Sequence, residues 1–151
     1  YGPTPVIAQS PAWEETDVPV VRCISFTNLA RGSAFFSGPM PENARMRMSI
    51  LSKQDIATST GDCLAKLKER MKPGEDAGYA YSALFCVTCV ARYFVMVGDA
   101  NEERKLLGEQ APANLSPIGL YAFCEIGPVY GRENGNLLNR AHSASIAMCA
   151  I

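Results

Sequence analysis

The sequence predicts an α+β domain, with a mixed or largely antiparallel sheet and about two helices packed on one face. Three observations predict it. Short β-branched and aromatic runs recur along the chain and are joined mostly by local turns. Two other stretches place apolar residues at helical spacing. Hydrophobic residues make up 48% of the 151 positions, enough to fill a core between two layers.

Taken in order, the first forty-one residues carry six of the ten prolines, which confine strand pairing to edges and ends. Between them, residues 18–26 and 33–36 read as strand, turn, strand. In residues 44–50, Met46, Met48 and Ile50 alternate with Arg45, Arg47 and Ser49, which predicts a half-buried strand. The period then changes. Ile56, Cys63, Leu64, Leu67 and Met71 form one helical stripe over residues 52–71. Ser52 with Asp55 opens that helix as a capping box, and Pro73-Gly74 is expected to close it.

Residues 79–97 form a long apolar segment, expected as the central strand or strand pair. Asp99 with Glu102 then caps a shorter helix through about Gln110. After a loop at 111–117, residues 118–126 read as a strand, 127–136 as a turn-rich connection, and 137–151 as a final strand. All of this fits a single domain over residues 1–151.

Composition excludes several function classes. Fourteen basic against fifteen acidic residues leave a formal charge of -1, so no long-range field draws the chain to nucleic acid or acidic lipid. Residues 83–97 are the longest apolar run, but fifteen residues with Arg92 inside do not span a bilayer. No membrane insertion is expected. Charged residues are only 19%, below the typical value of about 25%, which points to a large core or a partner-covered surface. The chain opens at Tyr1 with neither Met nor a signal-peptide pattern, and reads as a fragment or excised domain. Six cysteines, mostly in apolar runs, read as reduced thiols in a cytoplasmic protein.

The candidate chemistry is sparse. Cys86 and Cys89 form a CxxC inside a β-rich run, where residues three apart point to opposite sheet faces. A shared zinc would also need a second ligand pair, with Cys124 and His142 the available extras. Packing is the better reading, and neither a metal nor another cofactor is expected. Arg92 and Glu125 are each the lone charge in an apolar segment. They read either as a mutual salt bridge fixing strand register, or as charges orienting a ligand in an apolar pocket. Arg92 suits a carboxylate and Glu125 an ammonium, so a zwitterion such as an amino acid fits the pair. The sole histidine, His142, precedes Ser143 and Ser145, but the chain has no GxSxG elbow to support serine catalysis. A structural or ligand-facing histidine is expected instead. The glycines at 127–135 match neither phosphate-binding nor dinucleotide spacing.

Three blocks recur together in one known pattern: FCVTCVAR at residues 85–92, an acidic helix from about Asp99, and GLYAFCEIGP at 119–128. In that order they resemble the C-terminal portion of FIST domains, named for F-box and intracellular signal transduction proteins. The likeness covers residues 18–151 and is most specific over 83–146. Cys89 and Arg92 match the family's Cys-x-x-Arg strand, and Glu125, Ile126 and Pro128 its Glu-containing strand. Cys124 stands where the family has a small glycine. Ser143 and Ser145 keep the two hydroxyls of the terminal pattern, without its Asn.

The resemblance implies a sensory input domain that binds small ligands such as amino acids, alone or beside signalling modules. It also implies an N-terminal half preceding this one. The expected function is therefore a non-enzymatic sensory domain. Arg92 and Glu125 would orient the ligand, and Tyr121, His142, Ser143 and Cys89 are further candidate ligand-binding residues. The expected partners are an amino-acid-like ligand and the missing N-terminal half or a signalling module. The alternatives are a scaffold without ligand and, third, a thiol-dependent enzyme or metal-binding protein.

Overall fold

A computed structural model of the protein describes residues 4–10, 13, 19–96 and 100–151. The first layer is an antiparallel sheet built from the proline-punctuated region. Its strands are β1 (Thr4–Gln9), β2 (Val20–Asn28), β3 (Ser33–Phe36) and β4 (Arg45–Met48), in the order β3-β2-β1-β4. A 3-10 turn at Leu29–Arg31 joins β2 to β3, closed by Gly32 in the left-handed region at φ 58°. The expected strand, turn, strand is present, although Val18 lies outside the described residues. The half-buried reading of residues 44–50 is corrected: Met46, Met48 and Ile50 are all exposed. Among the described residues β4 pairs with β1 alone and sits at the sheet edge, and all four of its residues are exposed, so the alternation buries neither face.

Helix α1 (Lys53–Asp76) opens as expected. The Asp55 amide donates to Ser52 Oγ at 3.2 Å, and the Ser52 amide donates back to Asp55 Oδ2 at 2.8 Å. It does not stop at Pro73-Gly74 but runs through both. A proline in the last turn costs one backbone donor, and the Ala77 amide still reaches the Pro73 carbonyl at 3.2 Å. Its buried positions are Ile56, Thr60, Leu64 and Met71.

Strand β5 (Ala83–Cys89) lies at the centre of a mixed sheet. It runs parallel to β6 (Ser116–Ala122) and antiparallel to β9 (Ile146–Ala150). Helix α3 (Ala100–Gln110) packs beside α1 on one face of this sheet. Leu64, Met71, Leu84, Cys86, Leu107 and Leu115 form the core between them. Two helices on one face is therefore correct, and the fold class is α+β. Asp99, the expected cap of α3, lies outside the described residues.

The segment expected as one long strand over 79–97 is instead β5 followed directly by a short helix, α2 (Val90–Val95). A buried apolar run looks alike as strand or helix, so periodicity could not separate them. Strand β7 (Glu125–Tyr130) and strand β8 (Leu137–His142) form an antiparallel hairpin. The expected strand 118–126 is thus split at Phe123 and Cys124, and the expected connection 127–136 shortens to a turn after Tyr130. The final segment also divides, into β8 and β9, at Ser143–Ser145, where Ala144 takes φ 58°. The hairpin meets the first sheet through the Ser143 amide, which donates to the Val21 carbonyl at 3.1 Å. Among the described residues no helix is long and apolar enough to cross a membrane.

Candidate functional site

The six residues singled out from the sequence fall into two polar clusters. The first surrounds Arg92. Because α2 is a helix rather than a strand, its side chain turns toward α1 and α3. Arg92 Nε donates to Glu103 Oε1 at 2.8 Å. Nη1 donates to Ser59 Oγ at 3.1 Å, and Nη2 to Thr60 Oγ1 at 2.6 Å and the Ile56 carbonyl at 3.5 Å. The hydroxyl of Tyr121, on β6, donates to Glu103 Oε2 at 2.9 Å. Burial, and then the bond to Glu103, push the Tyr121 phenol well above its ordinary value. Thus Arg92 and Tyr121 share one carboxylate, beside a recess of about 330 Å³ between α3 and β6. Cys86, Thr88, Glu103, Leu107, Gly119 and Tyr121 contribute to its lining.

Of the two readings of Arg92 and Glu125, the mutual salt bridge is therefore corrected. The acidic partner of Arg92 is Glu103, which reads in sequence as an ordinary solvated helix charge. Nothing in the spacing marked it.

The second cluster surrounds Glu125, the first residue of β7. Glu125 is buried and stands opposite His142 in the β7–β8 register, so both occupy one face of the hairpin. Ser145 Oγ donates to Glu125 Oε2 at 2.7 Å, while buried Oε1 has no hydrogen-bond partner among the described residues. Burial raises the carboxyl above its ordinary value, opposed first by the Ser145 hydroxyl and then by the Cys89 thiol. Cys89 ends β5, and Ser143 follows β8; both are buried. Ser143 and Ser37 hydroxyls are hydrogen-bonded, and Ser37 Oγ also accepts from the Cys23 amide at 2.9 Å.

A recess of about 350 Å³ opens here, with Cys23, Ser37, Cys89, Phe94, Phe123 and Ser143 in its wall. It joins the first sheet, the β5–α2 junction and the turns after β6 and β8. Its thiols are poor nucleophiles. Burial pushes Cys23 to about 11 and also raises Cys89. Cys86 belongs to the helix-side core and Cys89 to a separate one with Cys23, so the CxxC thiols face apart.

The recess between α3 and β6 has a carboxyl, hydroxyls and apolar atoms in its wall, the second has hydroxyls, thiols and apolar atoms, and each has room for a small metabolite. The FIST C domain family matches residues 5–128, from β1 into β7. The chain belongs to that family. No curated protein and no solved structure matches it. Membership makes this FIST C domain a signal-transduction sensory domain. Cys89, Arg92, Tyr121 and Glu125 lie within the matched residues, and His142 and Ser143 lie beyond them.

Sequence reasoning missed Glu103, Ser59, Thr60 and Ser37 as polar partners. It also passed over Arg22, the lone charge in the apolar run 18–30, although the same signal had singled out Arg92.

Proposed function

We propose that this FIST C domain is a non-enzymatic cytoplasmic sensor of a small amino-acid-like metabolite, held in the recess beside Cys89 and Ser143. The observation that carries this reading is Glu125, which lies behind the wall residue Cys89 and is a buried carboxyl with one oxygen lacking a hydrogen-bond partner among the described residues. An unsatisfied buried oxygen is costly, and an incoming ammonium would satisfy it. The same ammonium would draw the raised carboxyl back to its charged form. Ser143 and Cys89 supply short-range polar contacts, Phe94 and Phe123 supply apolar cover, and His142 stands behind as the cross-strand neighbour of Glu125. Arg92 and Tyr121 act at the other recess, where they hold Glu103 in place.

The same proposal includes a partner. Opposite α1 and α3, the mixed sheet exposes Phe85, Ile118 and Leu120, an apolar face that suits the N-terminal half or a signalling module. Ligand binding would bias how that partner packs.

The test is a thermal-shift screen of amino acids against the wild type, Glu125→Gln and Ser143→Ala. Some amino acids should raise the wild-type melting temperature, and Glu125→Gln should lose that rise. A flat wild-type screen overturns the reading. It would favour the scaffold alternative, which the closed hydrogen bonding of Arg92 already suits.

A further inference from the structure

A second guanidinium is buried with no acidic partner among the described residues. Arg22, on β2, is 4% exposed, yet among the described residues no carboxylate lies within ion-pair distance of it. Its bonds go to neutral carbonyls instead. Nη1 donates to Val21 O at 3.0 Å and to Ala141 O at 2.6 Å, and Nε to Pro39 O at 3.4 Å. Trp13 lies over the guanidinium, 5.4 Å from ring centroid to Cζ. Gly38 also lies close against it, where a Cβ would stand 2.9 Å from Nε. The side chain is therefore fixed in place by three backbone segments and an indole ring.

Three of its five donors are used by these carbonyls, and Nη2 has no hydrogen bond to any described residue. Carbonyl dipoles solvate a cation but do not neutralise it, and a buried unpaired charge is expensive. Arg92 shows how the same fold treats a guanidinium whose role is structural: it supplies Glu103 at 2.8 Å. Around Arg22 the opposite holds. Burial pulls its pKa down, opposed by the nearby Cys124.

We propose that Arg22 is the receptor of an oxyanion site, taking a small carboxylate or phosphate through Nη2 at the junction of β2, the 37–39 segment and β8. This site is separate from the recess beside Cys89 and Ser143: Cys23, the next residue on β2, lines that recess, and Arg22 points to the other strand face. The preset guanidinium gives up little rotamer freedom on binding, which favours a compact anion.

The experiment titrates the protein with inorganic phosphate and, separately, acetate, against chloride at constant ionic strength. The wild-type melting temperature should rise and saturate with at least one of the two. Which one does so distinguishes a phosphate ligand from a carboxylate. Arg22→Met should weaken that response by about tenfold or more. Should the variant fail to fold, the arginine Nε–H resonances of the wild type are followed by NMR. The Arg22 signal should move with the same half-saturation as the melting curve. No response beyond the chloride control overturns the site. So does an Arg22 resonance that stays still while other arginine signals shift.

Discussion

Arg92 Nε and Glu103 Oε1 sit 2.8 Å apart with 1% and 3% of their side chains exposed, and this pair ties α2 to α3. Thr60 and Ser59 bring in α1, and Tyr121 brings in β6. Four elements therefore meet on one ion pair. Its members have hydrogen bonds on all sides, which is what allows two charges to stay dry.

Removing one member should be far worse than removing both. Glu103→Ala leaves Arg92 buried and uncompensated, and should cost about 3–5 kcal/mol in urea unfolding. The double variant Arg92→Met/Glu103→Leu should recover much of that loss. A Glu103→Ala cost below about 1 kcal/mol would mean the pair is not a structural anchor.

Glu125 should make stability fall as pH rises. Its ordinary value is 4.5, and burial holds the folded value above that. Between the two, the folded chain keeps a proton that the unfolded chain has lost. Stability should thus be greatest below 4.5, decline as pH climbs to the raised value, and level off beyond it. Glu125→Gln should remove this component from a series of urea titrations. Parallel curves for the two proteins would show that the carboxyl is not raised.

Alkylation should separate the thiols. Cys149 is exposed and should react with iodoacetamide first. Cys23 and Cys86, both pushed to about 11 by burial, should remain protected until the protein unfolds. Cys89 should behave like them, because burial raises it too. Mass spectrometry showing Cys89 labelled as quickly as Cys149 would revive a thiol-based activity.

The capping box should be measurable on its own. Ser52→Ala deletes the acceptor for the Asp55 amide and should cost about 1 kcal/mol. Helix α1 carries Ile56, Thr60 and Leu64 into the core, so the loss should appear in global unfolding rather than local fraying. A variant with unchanged stability would place the first turn of α1 outside the cooperative unit.

The chain's own pattern determined the fold class, the cap and stripe of α1, the strand pair at β2 and β3, and the family. These are local properties: period, turn chemistry and capping act over a few residues and need no partner to be recognised. Tertiary structure decided the rest. It turned the Arg92 segment into a helix, split the last two predicted strands, and left Met46 and Met48 uncovered. It also paired Arg92 with Glu103 instead of Glu125 and, among the described residues, left a Glu125 oxygen without a partner and gave Arg22 carbonyls as its hydrogen-bond acceptors. Charge pairing depends on distances between segments far apart in the chain, and a lone charge in an apolar run shows only that it must be compensated. Which group compensates it is fixed when the layers close over it, because only then is water excluded.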